Sequence, residues 1–220
     1  MVVLMNKKIK AVIFDLDGTL LNTLDDLMYS TNYALEKYNL PIRTKEEIKN
    51  FVGNGVDLLI KRAMNYTHEE IYEDVLNCFK EHYQIHSMDH IYKYDGIEEL
   101  LKELKKQNIL IAVVTNKFHE AAKDIIKTYF NDYVNITIGV SNDVRKKPSP
   151  DMCNKVLSSF NINANQAIFV GDSDVDYQTG VNSDLFVVSV TWGFKTKEFL
   201  QKIGSKNIID TPLELLKYIE

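Results

Sequence analysis

The chain carries four short runs that are almost continuously apolar and end in polar residues: AVIFDLD (Ala11–Asp17), ILIAVVTN (Ile109–Asn116), AIFVGDSD (Ala167–Asp174) and LFVVSVTW (Leu185–Trp192). A strand with one wet face alternates apolar and polar residues. A run rich in Val, Ile and Phe without alternation needs apolar cover on both faces, the situation inside a parallel sheet. Helical periodicity fills the intervals. Ile97, Leu100, Leu101 and Leu104 recur at i, i+3, i+4 and i+7, with Asp95 and Glu98 spaced as a capping box before them. Ala121, Ala122, Ile125, Ile126 and Tyr129 repeat the pattern. Strands alternating with helices predict an α/β fold with a doubly wound, Rossmann-like parallel sheet.

Residues 23–92 break this rhythm. They hold helical stripes (Leu27, Thr31, Ala34, Leu35, Tyr38; Leu58, Leu59, Arg62, Ala63; Ile71, Val75, Leu76, Phe79) and no strand pattern. An all-helical insert after the first strand reads as a small cap, with hinges at Leu20–Thr23 and Tyr92–Gly96. The expected organisation is a catalytic core of residues 1–22 and 93–220 and a helical cap domain of residues 23–92.

Composition narrows the partners. With 220 residues, 45% apolar and 26% charged, the chain can bury a core and a small accessory domain. Its formal net charge of −5 supplies no positive field for nucleic acid or an anionic membrane. Ile109–Val114 is far too short to span a bilayer. The start, MVVLMNKKIK, has an apolar stub without cleavable-signal architecture, and Met5 is an alternative first residue. Cys78 and Cys153 are the only cysteines and argue against a disulfide framework. The expected location is cytoplasmic.

In open α/β sheets, ligands bind at the carboxyl ends of strands. Asp15, Thr115 and Asp172 each lie where an apolar run ends, so residues distant in sequence converge on one crevice. Asp15 and Asp17 together with Asp172 form a cluster of hard oxygen ligands suited to Mg²⁺. The rival reading of Asp15–Asp17 is a strand followed by an Asp-Gly turn, and Thr115 could equally close a strand.

DLDGTLLNT, VVTN, KKPSP and GDSDVD, in that order, resemble the four motifs of the haloacid dehalogenase superfamily, and the insert resembles that superfamily's helical cap. Within the insert, FVGNGVDLLIKRAM is similar to the cap segment of phosphoglycolate phosphatases. The resemblance implies a phosphatase in which Asp15 attacks phosphorus and forms an aspartyl-phosphate. Asp17 protonates the leaving group and then activates water. Mg²⁺ is held by the Asp15 carboxylate, the Asp17 carbonyl and Asp172. The Thr115 hydroxyl and the Asn116 amide hold phosphate oxygens, and Lys147 rather than the adjacent Lys146 neutralises charge. Leu16, Asn116, Gly53 and Asn54 are the substrate-binding positions it implies, for a small phosphorylated metabolite. Lys61 and Arg62 of the insert are candidate partners for a substrate carboxylate, Arg62 equally a surface side chain lying over apolar neighbours. Asp176 either supports the site from behind or serves the N-terminus of the following helix. Inorganic pyrophosphatase, sugar-phosphate phosphatase and phosphomutase activities stay open, as does a catalytically silent binding module, although no motif residue is missing.

Other motifs fail on inspection. Asp172, Asp174 and Asp176 match positions 1, 3 and 5 of a calcium loop, but Tyr177 stands where Gly is needed and Ser183 where Glu is needed. Gly53-Asn54-Gly55 lacks the third glycine and the preceding strand of a dinucleotide fingerprint. Cys78, His82, His86 and His90 recur every four residues. Each such step drifts about 40° around a helix, so the four cannot converge on one zinc.

Overall fold

The computed structural model describes residues 8–219; the apolar stub and Met5 lie outside the described residues. In chain order the strands are β1 (Ala11–Phe14), β2 (Leu21–Asn22), β3 (Tyr92–Lys93), β4 (Leu110–Phe118), β5 (Ile136–Val140), β6 (Ala167–Gly171), β7 (Phe186–Val190) and β8 (Ile208–Ile209). The helices are α1 (Leu24–Lys37), α2 (Lys45–Phe51), α3 (Val56–Ala63), α4 (Tyr72–His86), α5 (Ile97–Lys106), α6 (His119–Tyr129), α7 (Asp151–Phe160), α8 (Asp174–Asn182) and α9 (Lys197–Lys202). The described residues divide into two compact units, one of 8–20 and 93–219 and one of Leu21–Tyr92.

The first unit is a six-stranded sheet in the order β5-β4-β1-β6-β7-β8. Every pairing in it is parallel. The chain builds outward from β1 through β4 to β5, then crosses to the other side of β1 for β6, β7 and β8. The strand order therefore reverses at β1, which pairs with β4 (Phe14 opposite Val113) and with β6 (Phe14 opposite Val170). Both faces of β1 are covered, as its unbroken AVIF run requires: all four residues are buried. Ala11 and Ile13 join Ala112, Val114 and Phe169 in a layer closed by Met152, Cys153, Val156 and Leu157 of α7. By the two-residue period of a strand, Val12 and Phe14 face the opposite layer. The doubly wound sheet expected from the apolar runs is present.

Some elements differ from expectation. β5 is an edge strand whose residues Ile136, Thr137, Ile138 and Val140 are only partly buried, so it never needed the continuous apolar signature. β2, β3 and β8 are dipeptides, too short to show a period. The Asp95/Glu98 capping box does not form. Gly96, at φ 82°, occupies the N-cap of α5 without a side-chain bond, and Glu98 pairs instead with Lys93 at 2.7 Å and Lys102 at 3.0 Å.

In the second unit α1 packs along α4, and α2 and α3 pack on those neighbours. Its core includes Leu27, Ala34, Leu35, Ile48, Ile60, Val75 and Phe79, all buried. β2 and β3 pair as a short ribbon at its ends. In the Cys/His series Cys78 is buried, His82 bonds Ser30 at 2.9 Å and lies against the His86 ring with centroids 4.3 Å apart, His86 bonds Asp89 at 2.7 Å, and His90, beyond the end of α4, bonds Asp26 at 2.8 Å.

Candidate active site

The carboxyl ends of β1, β4 and β6 meet where the strand order reverses, the place an open α/β sheet offers a ligand. β1 delivers Asp15, whose N–H donates to the Val170 carbonyl at 2.9 Å. Leu16 follows, fully buried, and its carbonyl accepts from the N–H groups of Thr19 and Leu20 at 3.3 and 3.1 Å, forming a tight turn. Gly18 lies inside that turn at φ 91°, and a Cβ there would fall 2.6 Å from an Asp172 oxygen. No side chain fits at this position.

β6 ends in Gly171, after which come Asp172 and Ser173. Asp172 accepts from the Phe194 N–H at 2.6 Å through Oδ2 and from the Thr19 hydroxyl at 3.4 Å through Oδ1. Ser173 caps α8, accepting from the Asp176 N–H at 3.3 Å, and Asp176 Oδ2 accepts from the Ser173 N–H at 3.1 Å and hydroxyl at 2.6 Å. The other oxygen of Asp176 accepts from Lys147 Nζ at 2.6 Å, and the same ammonium donates to Asp15 Oδ1 at 2.6 Å. One carboxylate thus both caps α8 and ion-pairs with Lys147.

β4 is irregular at its end. Its register against β5 shifts between Val114 and Phe118, so Thr115, Asn116 and Lys117 sit in a bulge, a device that re-aims side chains. Thr115 is buried and its hydroxyl oxygen accepts from the Lys117 N–H at 3.2 Å. The Asn116 carboxamide brackets the backbone of Lys147, accepting from its N–H at 2.8 Å and donating to its carbonyl at 3.2 Å. The side chain of Asn116 thus fixes the backbone of Lys147. Lys117 turns to Asp17, with Nζ at 3.0 and 3.3 Å from the two carboxylate oxygens.

The electrostatics are unbalanced. Asp15, Asp17, Asp172 and Asp176 face Lys117 and Lys147 within this ion-paired cluster, a net charge of −2 when all are ionised. Burial is the main force raising the Asp15 carboxyl well above the ordinary carboxylate range, with Asp176 adding to it against the pull of Lys147. Asp172 is pushed up to about 7, first by burial and then by Asp176. Burial alone would lower Lys147, but Asp15 and Asp176 outweigh it and hold the ammonium above the usual lysine value. Buried carboxylates so strained in charge take either protons or a cation. Asp15, Asp172 and Asp176 bring ligand oxygens within 4.8 Å of one another, an all-oxygen set that fits a hard divalent metal ion.

Asp15, Asp17, Thr115, Asn116, Lys147, Asp172 and Asp176 all belong to the sheet unit. Gly53, Asn54 and Arg62 belong to the helical unit. There Gly53 (φ 115°) and Asn54 lie between α2 and α3, and Arg62 donates to the Phe51 carbonyl at 2.6 Å, tying the two helices together. Sequence reasoning missed Lys117, Ser173 and Phe194. The available signal for Lys117 was its spacing, two residues beyond Thr115 on the same strand.

A Rossmann-like sheet with an acidic, cation-fitting cluster at its switch point is the class of protein defined here. More particularly, the chain belongs to the haloacid dehalogenase-like hydrolase family, whose model matches residues 12–190. It is 31% identical over 199 residues to a phosphoglycolate phosphatase of Mannheimia succiniciproducens, covering 86% of this chain and 89% of that one. It is 28% identical to the phosphoglycolate phosphatase of Vibrio vulnificus, with 97% of both chains covered. A solved structure from Lactobacillus delbrueckii subsp. bulgaricus, of a candidate phosphoglycolate phosphatase, superposes with a TM-score of 0.93 at 33% identity, covering 97% of this chain and 99% of that one.

Proposed function

We propose that this protein is a Mg²⁺-dependent phosphatase of small phosphate monoesters, phosphoglycolate first among them, working through an aspartyl-phosphate on Asp15. The observation that carries the reading is Asp15 itself, a buried carboxylate at the end of the central strand with Lys147 2.6 Å away. Attack by Asp15 on phosphorus expels the alcohol and leaves the phosphoryl group on the carboxylate. Water then cleaves it, so one difficult displacement becomes two easier ones. Asp17 gives a proton to the departing oxygen and takes one from the incoming water. The Thr115 hydroxyl and the Lys147 ammonium stabilise the phosphoryl oxygens.

Mg²⁺, held by the carboxylates of Asp15 and Asp172 and the carbonyl of Asp17 with Asp176 behind, would supply the positive charge that lets an anionic nucleophile meet an anionic phosphate. Leu16, Asn116, Gly53, Asn54 and Arg62 are the residues proposed to receive the substrate. The preference for phosphoglycolate rests on the relatives that carry that name. The proposed setting is the cytoplasm; no helix among the described residues is long and apolar enough to cross a membrane.

The test is a phosphate-release panel of phosphoglycolate, pyrophosphate, hexose phosphates and nucleotides, with Mg²⁺ and after thorough chelation. Phosphoglycolate is expected to turn over fastest and chelation to abolish turnover. Preference for pyrophosphate or a hexose phosphate reassigns the substrate. Full activity in chelated protein overturns the mechanism.

A further inference from the structure

Asp17 has to exchange protons with two different partners, yet a carboxylate on a two-bond side chain has several rotamers to wander among. Its surroundings restrain it. Lys117, with its side chain only 4% exposed, places its ammonium against both Asp17 oxygens. Lys117 is itself fixed at its root, since its N–H donates to the Thr115 hydroxyl within the bulge that ends β4. The ammonium thus stands on a strand end, and the carboxylate it grips stands on the turn after the neighbouring strand.

We infer that Lys117 is a positioning residue for the proton transfers of Asp17, a role that rests on the reading of Asp17 given above. Its action is geometric. One ammonium reaching two oxygens fixes the plane of the carboxylate. When one oxygen carries the proton, the other keeps its bond to Lys117, so the side chain stays in place through both halves of the cycle. Lys147 has no part in this: it is bonded to Asp15 and Asp176. The two buried lysines divide the work, one at the nucleophile and one at the acid–base.

The consequence is a dependence on leaving group. A proton delivered to the departing oxygen matters greatly for an alkoxide and little for p-nitrophenolate, which is stable without it. The experiment measures the burst of leaving group from Mg²⁺-loaded protein across p-nitrophenyl, phenyl and alkyl phosphates. It compares wild type, Lys117→Met, Lys117→Arg, Asp17→Asn and the Asp17→Asn/Lys117→Met double variant. Lys117→Met is expected to slow alkyl phosphates about tenfold or more while leaving p-nitrophenyl phosphate within about twofold, a fraction of the full general-acid contribution. Lys117→Arg, which keeps a cationic donor, restores most of the alkyl rate. In the Asp17→Asn background Lys117→Met adds nothing further. The p-nitrophenyl phosphate burst also reports that the variant is folded. Equal slowing of all substrates makes Lys117 a structural residue and overturns the inference, and so does an unchanged alkyl rate. If Asp17→Asn itself shows no leaving-group contrast, the assignment of Asp17 fails and that of Lys117 falls with it.

Discussion

Asp15 is held in a place that suits chemistry better than it suits Asp15. Burial and Asp176 press its carboxyl toward the neutral form. An amide in its place removes the proposed nucleophile and relieves that pressure together. Asp15→Asn should therefore show no turnover on any substrate, yet melt in EDTA at a temperature no lower than wild type, an exchange of activity for stability common at active sites. Thermal denaturation beside a phosphate-release assay reads both halves, and a clear loss of stability would contradict the electrostatic account. Cys153 offers a contrasting case. Burial pushes its thiol up to about 11, so the reactive thiolate is scarce at neutral pH. Iodoacetamide should label it far more slowly in the native protein than in urea, as mass spectrometry would show. At this scale the sequence exposes residues whose position alone is informative: Asp15, Thr115 and Asp172 end apolar runs. Ser173 carried a signal in its spacing, three residues before Asp176 as in a capping box, whereas Asp17, the partner of Lys117, lies a hundred residues away in sequence and is brought to it by packing.

Among the elements, the segment after β7 works as a strap. Trp192 Nε1 donates to the Thr19 carbonyl at 3.0 Å, and two residues on the Phe194 N–H holds Asp172. One short loop thereby grips the turn after β1 and the carboxylate after β6. Trp192→Phe keeps the aromatic bulk and deletes the donor, a loss of about 1 kcal/mol for one such bond. The variant should stay folded but need a higher Mg²⁺ concentration for half-maximal rate, which a metal titration measures; an unchanged titration would show that the strap does not reach the metal. In the helical unit Arg62 secures the end of α2 beside Gly53 and Asn54. Arg62→Ala should raise KM for phosphoglycolate more than for p-nitrophenyl phosphate, and equal effects would remove that loop from substrate selection. Legibility at this scale follows burial. β1, β4, β6 and β7 announce themselves because they are covered on both faces, whereas the half-buried β5 and the dipeptide strands have no such mark. The Asp95/Glu98 box misled because a glycine able to take positive φ already occupied the cap position of α5.

For the whole molecule, the acidic cluster links stability, metal and pH. Asp15 and Asp172 bind protons more tightly in the folded, metal-free protein than in the unfolded chain, Asp172 with a value of about 7. Their contribution to stability is fully present below the ordinary carboxylate value and is lost as pH rises through the folded one. Mg²⁺ bound as proposed would compete for the same oxygens, so its stabilisation would grow as the protons leave. Saturating Mg²⁺ should raise the melting temperature more at pH 8 than at pH 5, and an equal rise at both would place the metal elsewhere. The position of β1 has a different consequence, for biosynthesis. Phe14 and its register partner Val170 are 156 residues apart, with the whole helical unit between them. At roughly 5–20 residues per second on the ribosome, the apolar Ala11–Phe14 segment waits about 8–30 s before β6 has been made. The helical unit, with its own core, leaves the tunnel complete during that wait. The strand that later sits at the centre of the sheet is thus the part of the nascent chain longest in need of a chaperone's shelter.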